Sequence, residues 1–197
     1  MSEHVMTTSR MEAFSDGVIA ILITIMVLEF HAPEEITWQA LRPMLPVFLA
    51  YVLSFVFLGI YWANHHHMLQ LAERVNGAIL WANLHLLFWL SLIPFATAWM
   101  GEHHEASAPA ALYGVVLLFA GAAYTILART LIREQGRDSR LAAAIGSDKK
   151  GLLSIATYAV AIAAAFYSPR LSQLLYAATA LIWLVPDPRI EKVIRRS

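Results

Sequence analysis

Apolar residues run in long blocks along this chain, broken by short polar clusters. The blocks cover residues 13–30, 45–63, 78–100, 110–128, 152–167 and 171–185. A helix that crosses a bilayer needs about 20 mostly apolar residues, within a range of about 17–25. The first four blocks meet that length. The last two are shorter and are separated only by Ser168, Pro169 and Arg170. They read as a tight helical hairpin whose spans Lys149, Lys150 and Arg189 lengthen by snorkelling. A re-entrant pair that never crosses is the alternative. The expected fold class is all-α, a polytopic membrane protein. Residues 1–197 form a single six-helix transmembrane subunit with no soluble domain of any size.

Charge placement orients the helices. Lys and Arg accumulate in cytoplasmic loops. With the N-terminus inside and six crossings, twelve of the fourteen Lys and Arg fall inside, and only Arg42 and Arg170 fall outside. Five crossings would carry the basic C-terminus outside. Both termini are therefore expected to be cytoplasmic. Trp38, Tyr61, Trp62, Trp81, Trp99 and Trp183 lie near block ends, where an interfacial aromatic belt would place them. The polar stretch 129–150 is expected to be a cytoplasmic helical extension or a flexible link. Ala-rich stretches at 120–123 and 161–165 suit close helix packing.

Composition narrows the function. Hydrophobic residues make up 59% of the chain and charged residues 14%, against about 25% charged in an ordinary soluble domain. A soluble core of this size could not hide so much apolar surface. With no cysteine, a disulfide, a thiolate metal site and a catalytic Cys are all excluded. A net charge of zero argues against a nucleic-acid partner. The first block has no small-residue cleavage site after it and reads as retained. His65, His66 and His67 point about 100° apart on a helix, so they cannot share one ion, and zinc-type spacing is absent. Glu102-His103-His104-Glu105 reads as an outer loop. No nucleophile–base pair or phosphate loop stands out, so neither enzymatic activity nor a cofactor or resident metal is expected.

The first block carries the most informative chemistry. Ser9 and Glu12 fit a capping box, with the helix starting near Arg10. Asp16 then lies in the second turn, and an acidic residue inside a spanning helix is a functional candidate. At about 100° per residue, with Ile21 at 0°, Ile25 falls at about 40°, Leu28 at about −20° and Phe14 at about 20°. Thr24 flanks this stripe at about −60°, while Ser15 and Asp16 point to the other side, at about 120° and −140°. Ser15 and Asp16 therefore read as polar glue toward the second and third helices. Their partners are expected on the same side of the membrane in the second and third helices, with a buried cluster of Asp16, Asn64 or His65, and Asn83, because buried polar groups need partners. Apolar residues surround the whole helix, so its pattern alone does not choose a pore face.

The run from Arg10 to Val18, with Phe14-Ser15-Asp16 at its centre, followed by Ala20-Ile21, Thr24 and Leu28-Glu29, resembles the opening helix of the transmembrane protein 175 potassium-channel family. Ala50-Tyr51, Ser54-Phe55, Tyr61-Trp62, His65-His66, Trp81, Asn83-Leu84 and Pro94-Phe95 with Thr97 extend the resemblance through residues 10–105. Helices four to six match only in hydropathy and in fragments such as Leu112-Tyr113-Gly114. The resemblance implies a K⁺-selective cation channel without a carbonyl filter, K⁺ as permeant ion, a homotetramer in the bilayer, and a bacterial cell membrane as its place. It implies a pore lined by the first helix, with constriction layers at Ile21, Ile25 and Leu28 and a selectivity role for Thr24. Arg10, Phe14, Ser15 and Asp16, with His65 and Asn83, would be the structural motif. Outer loops bearing Glu29, Glu34, Glu35, Glu102 and Glu105 should concentrate cations. The rival reading is a proton- or cation-coupled secondary transporter with Asp16 and His65 as a relay. It needs an inverted repeat or broken mid-membrane helices, and the sequence shows neither.

Overall fold

The computed structural model describes residues 8–184, apart from Glu73, Arg137, Gly146 and Ser147. Among the described residues every regular element is helical. In order these are α1 (Thr8–Ile25), α2 (Leu45–Gln70), α3 (Gly77–Ser91), α4 (Ile93–Glu102), α5 (Ser107–Gln135), α6 (Arg140–Ile145), α7 (Lys149–Ala165) and α8 (Pro169–Leu184). Two 3₁₀ segments, Met26–Glu29 and Trp38–Met44, join α1 to α2. Among the described residues four stretches are long and apolar enough to cross a membrane: Thr8–Glu29, Trp38–Gln70, Gly77–Glu102 and Ser107–Gln135. They coincide with the first four apolar blocks.

The third block is one span in two pieces. Pro94 sits in the first turn of α4 and has no N–H to continue the ladder, so the α-helix ends at Ser91 and restarts at Ile93. Asn76 caps the start of α3, accepting the Ile79 N–H at 3.0 Å. The last two blocks form α7 and α8, which pack against one another as the predicted hairpin. At about 1.5 Å per residue, the 17 residues of α7 rise about 26 Å, just under the hydrocarbon thickness. The 129–150 stretch divides. Helix α5 runs on through Gln135, Gly136 turns the chain at φ 93°, a conformation glycine adopts freely, and the short α6 follows. Arg189 lies outside the described residues.

Helix α5 is the centre of the bundle, packed on α3, α4, α7 and α8. Its buried side includes Tyr113, Leu117, Leu127 and Leu131. Gly114 allows α8 to approach, because a Cβ there would collide with the Tyr176 hydroxyl and with Ile162. Helix α1 lies at the margin, against α2 and α3.

The predicted capping box does not form. Thr8 is already helical, so Ser9 sits inside the helix, and Glu12 reaches across to α2. Part of the expected aromatic belt also has inward business. Tyr61 lines a cavity, and Trp183 donates to Ser154 Oγ at 2.8 Å.

Candidate functional site

Helix α1, with the 3₁₀ turn Met26–Glu29 that continues it, divides into two faces. Met11, Ser15, Ile19, Leu22 and Met26, spaced four, four, three and four residues apart, are its buried residues. That spacing is one helical stripe. Phe14, Ile21, Ile25 and Leu28 lie on the other side, with Ile21 59%, Ile25 38% and Leu28 73% exposed. Thr24 is exposed beside them. An ideal helix would separate Leu28 from Ile25 by about 60° at 100° per residue. The helix tightens instead into a 3₁₀ turn over Met26–Glu29. Residues three apart eclipse in that geometry, which brings Leu28 into line with Ile25. The Thr24 hydroxyl donates to the Ile21 carbonyl at 2.9 Å, a local bond that competes with the α-helical ladder just before it tightens. Beyond the turn, Phe30 packs edge-on against Tyr51 of α2, with ring centroids 5.3 Å apart.

The buried face is anchored by a chain of three directed hydrogen bonds. Asn83 Nδ2 donates to Ser15 Oγ at 2.9 Å, and Ser15 Oγ donates to the Met11 carbonyl at 2.8 Å. Asn83 Oδ1 therefore faces His65 Nε2, 2.8 Å away, and His65 must supply the proton. Ser15, His65 and Asn83 are all buried, so one polar thread ties α1, α2 and α3 together inside an apolar bundle. With Nε2 protonated, His65 Nδ1 carries a lone pair that finds no hydrogen-bond partner among the described residues.

Asp16 does not join this thread. Its Oδ1 accepts the Trp62 indole N–H at 3.0 Å, whereas the predicted cluster had Asp16 with Asn64 or His65 and Asn83. Asn64 donates instead to its own helix, at Ile60 O. Ser15 lies on the buried side of α1, and the residues that come together are Ser15, His65 and Asn83. Arg10 and Phe14 lie exposed, and no hydrogen bond or ion pair of theirs is seen among the described residues.

The sequence pattern did not reveal a second contact beside the first. Glu12 Oε1 lies 2.7 Å from His66 Nδ1, a close polar contact without in-plane hydrogen-bond geometry. Trp62 stacks on His66 with ring centroids 5.9 Å apart, and Gln70 Nε2 lies 2.8 Å from the other nitrogen of that ring. A signal for it exists. Glu12 and Asp16 are four apart on α1, and Trp62 and His66 are four apart on α2, so the two pairs can meet face to face. The relay predicted by the transporter reading is not assembled, since Asp16 and His65 bond to different partners. Among the described residues no group of three His, Asp or Glu is placed to hold a metal ion.

The family model described as the endosomal/lysosomal potassium channel TMEM175 matches residues 10–94. The chain is 54% identical over 192 residues to a potassium channel of Chryseobacterium sp. (strain P1-3), covering 98% of this chain and 100% of that protein. It is 35% identical over 128 residues to a potassium channel of Streptomyces collinus (strain DSM 40733 / Tue 365), covering 61% and 62% respectively. The crystal structure of a lysosomal potassium-selective channel TMEM175 homolog from Chamaesiphon minutus superposes with a TM-score of 0.77 at 31% identity, over 90% of this chain and 96% of that one.

Proposed function

The chain belongs to the TMEM175 potassium-channel family, and from that premise we propose that it is a potassium-permeable channel of the bacterial cell membrane, a homotetramer with four copies of α1 around the conduction axis. One observation carries the pore reading: α1 buries Met11, Ser15, Ile19, Leu22 and Met26 within its own subunit and leaves Ile21, Ile25 and Leu28 uncovered. A single six-helix chain offers no second wall for that face, and three further copies of it would.

In this reading the subunit crosses the membrane six times with both ends cytoplasmic. Ile21, Ile25 and Leu28 form successive apolar rings. The tightening of α1 at Met26–Glu29 supports rings at Ile25 and Leu28 that stack along one line. Hydrophobic constrictions gate by dewetting, so a small widening that admits water opens the path. Thr24 supplies the one hydroxyl beside the rings, and its oxygen keeps a lone pair after donating to Ile21. Glu29 and the outer acidic loops draw cations to the mouth, although Glu105 is partly neutralised by Arg170 at 2.7 Å. The Ser15–Asn83–His65 thread and the Asp16–Trp62 bond hold α1 in the rotation that presents the rings. They act as scaffold and not as ion ligands.

Ile21→Asn tests this arrangement. A polar ring lowers the cost of wetting the constriction, so K⁺ flux into proteoliposomes should rise several-fold at equal protein density. Flux equal to that of the parent protein would remove Ile21 from the pore.

A further inference from the structure

A cavity of about 40 Å³ lies between α2, α5, α7 and α8, and no residue of α1 lines it. At about 10–15 Å³ per water it holds roughly three water molecules. Phe57, Tyr61, Tyr124, Tyr158 and Trp183 supply aromatic wall, and Asn64, Thr125, Asp148 and Ser154 supply polar edge. This is unlike the apolar packing around it, and the channel reading gives it no task.

The hydrogens of that polar edge are largely committed elsewhere. Thr125 Oγ1 donates to Gly121 O at 3.0 Å, and Ser154 Oγ donates to Lys150 O at 2.9 Å. Tyr124 Oη donates to Asn64 O at 3.3 Å, and Asn64 Nδ2 donates to Ile60 O at 2.8 Å. Trp183 Nε1 donates to Ser154 Oγ at 2.8 Å. What remains for an occupant is mainly acceptor capacity: lone pairs on Asn64 Oδ1, Tyr124 Oη, Thr125 Oγ1 and Ser154 Oγ, beside the second Asn64 amide hydrogen and the rotatable hydroxyls of Tyr61 and Tyr158. Asp148 adds the negative charge. One of its oxygens takes the Gly151 N–H at 2.8 Å, which caps α7, so this helix end presents a carboxylate in place of bare N–H groups. Gly151 keeps the space open, since a Cβ there would collide with the Asp148 carboxylate.

Lone pairs, aromatic faces and one carboxylate are together complementary to a cation. The chain already brings one to this wall: Lys150 Nζ lies 5.9 Å from the centre of the Trp183 ring. We propose that the cavity is a binding site for a small primary ammonium group, separate from the pore, for which the Lys150 ammonium is the internal competitor. Three N–H donors call for the oxygen acceptors that this wall leaves unspent, and the small volume excludes bulky quaternary ions. Two sources carry this chemistry, a free alkylamine and the ethanolamine headgroup of a lipid. The site does not depend on which face of α1 lines the pore.

The test is the thermal midpoint of the purified full-length protein in nanodiscs of choline-headgroup lipid, titrated with ethylammonium chloride at constant ionic strength. A saturable rise is expected, absent with tetraethylammonium and with K⁺. Asp148→Asn keeps the helix cap, because Asn caps as well as Asp, and should weaken the effect at least tenfold. Lys150→Met should strengthen it several-fold by removing the competitor. The same titration in ethanolamine-headgroup nanodiscs separates the sources. A response lost there supports the headgroup as occupant, and a response retained supports the free amine. No response in choline-headgroup nanodiscs, equal responses to ethylammonium and K⁺, or an unaltered response in Asp148→Asn would each overturn the proposal.

Discussion

Replacing Asn83 by Ala cuts the polar thread that fixes α1. The carboxamide bridges Ser15 and His65 at 2.9 and 2.8 Å, and all three side chains are buried. Its removal leaves the His65 Nε2–H buried without an acceptor, which costs about 1–3 kcal/mol. Ser15 loses only an accepted bond, because its own proton still goes to Met11. Hydrogen bonds between membrane helices are worth about 0.6 kcal/mol on average and up to about 1.7, so this second loss is the smaller one. Together they predict a destabilisation of about 2–4 kcal/mol. For a chain of this length about 3 kcal/mol is a fall of roughly 6–12 °C in thermal midpoint. Ser15→Ala should cost about 1–2 kcal/mol, since it orphans the Asn83 amide hydrogen. In the double variant the two losses should fall short of their sum by about 1 kcal/mol, because both act on the same bond. The assay is thermal unfolding of the four proteins in one detergent. A midpoint within about 1 °C of the parent for Asn83→Ala, or strictly additive losses, would refute the directed thread.

Packing and the second anchor give further tests. Gly114→Ala should destabilise by about 1–3 kcal/mol through overpacking against Tyr176 and Ile162. Gly59→Ala, where a Cβ meets nothing within 4 Å, should be neutral or stabilising by up to about 1 kcal/mol; thermal midpoints measured side by side check both. Trp62→Phe keeps an aromatic ring against His66 but removes the donor to Asp16. It should cost about 0.5–1.5 kcal/mol, and adding Asp16→Asn in that background should cost little more. A second full loss in the double variant would show that Asp16 acts through another partner.

The broad plan of this protein is written in its hydropathy. The four long blocks become four long spans, and the helical period of α1 by itself sets Ser15 on the side away from Ile21. What the sequence conceals has identifiable physical causes. The ideal 100° step assumes one kind of helix, and the 3₁₀ turn at Met26–Glu29 moves Leu28 relative to Ile25. Ser9 and Glu12 satisfy a capping pattern, yet Glu12 has a better use across the helix pair, at His66. The position of Asp16 in a spanning helix demands a partner. That partner is Trp62, which its place near a block end assigns to the membrane interface. Tertiary contacts decide the last two, and they reach residues some 46 to 54 positions away, which periodicity and motifs treat one segment at a time. The cavity beside Asp148 is hidden from the sequence for the same reason, since four helices contribute to it.

We propose that this protein passes potassium through an apolar constriction without a carbonyl filter. Recording from the purified protein in planar bilayers, with K⁺ on one side and Na⁺ on the other, tests it most directly. The account predicts discrete current steps whose reversal potential lies toward that of K⁺. Slow, saturable uptake in liposomes with no unitary steps in the bilayer would contradict it and would return Asp16 and His65 to consideration as moving parts of a carrier.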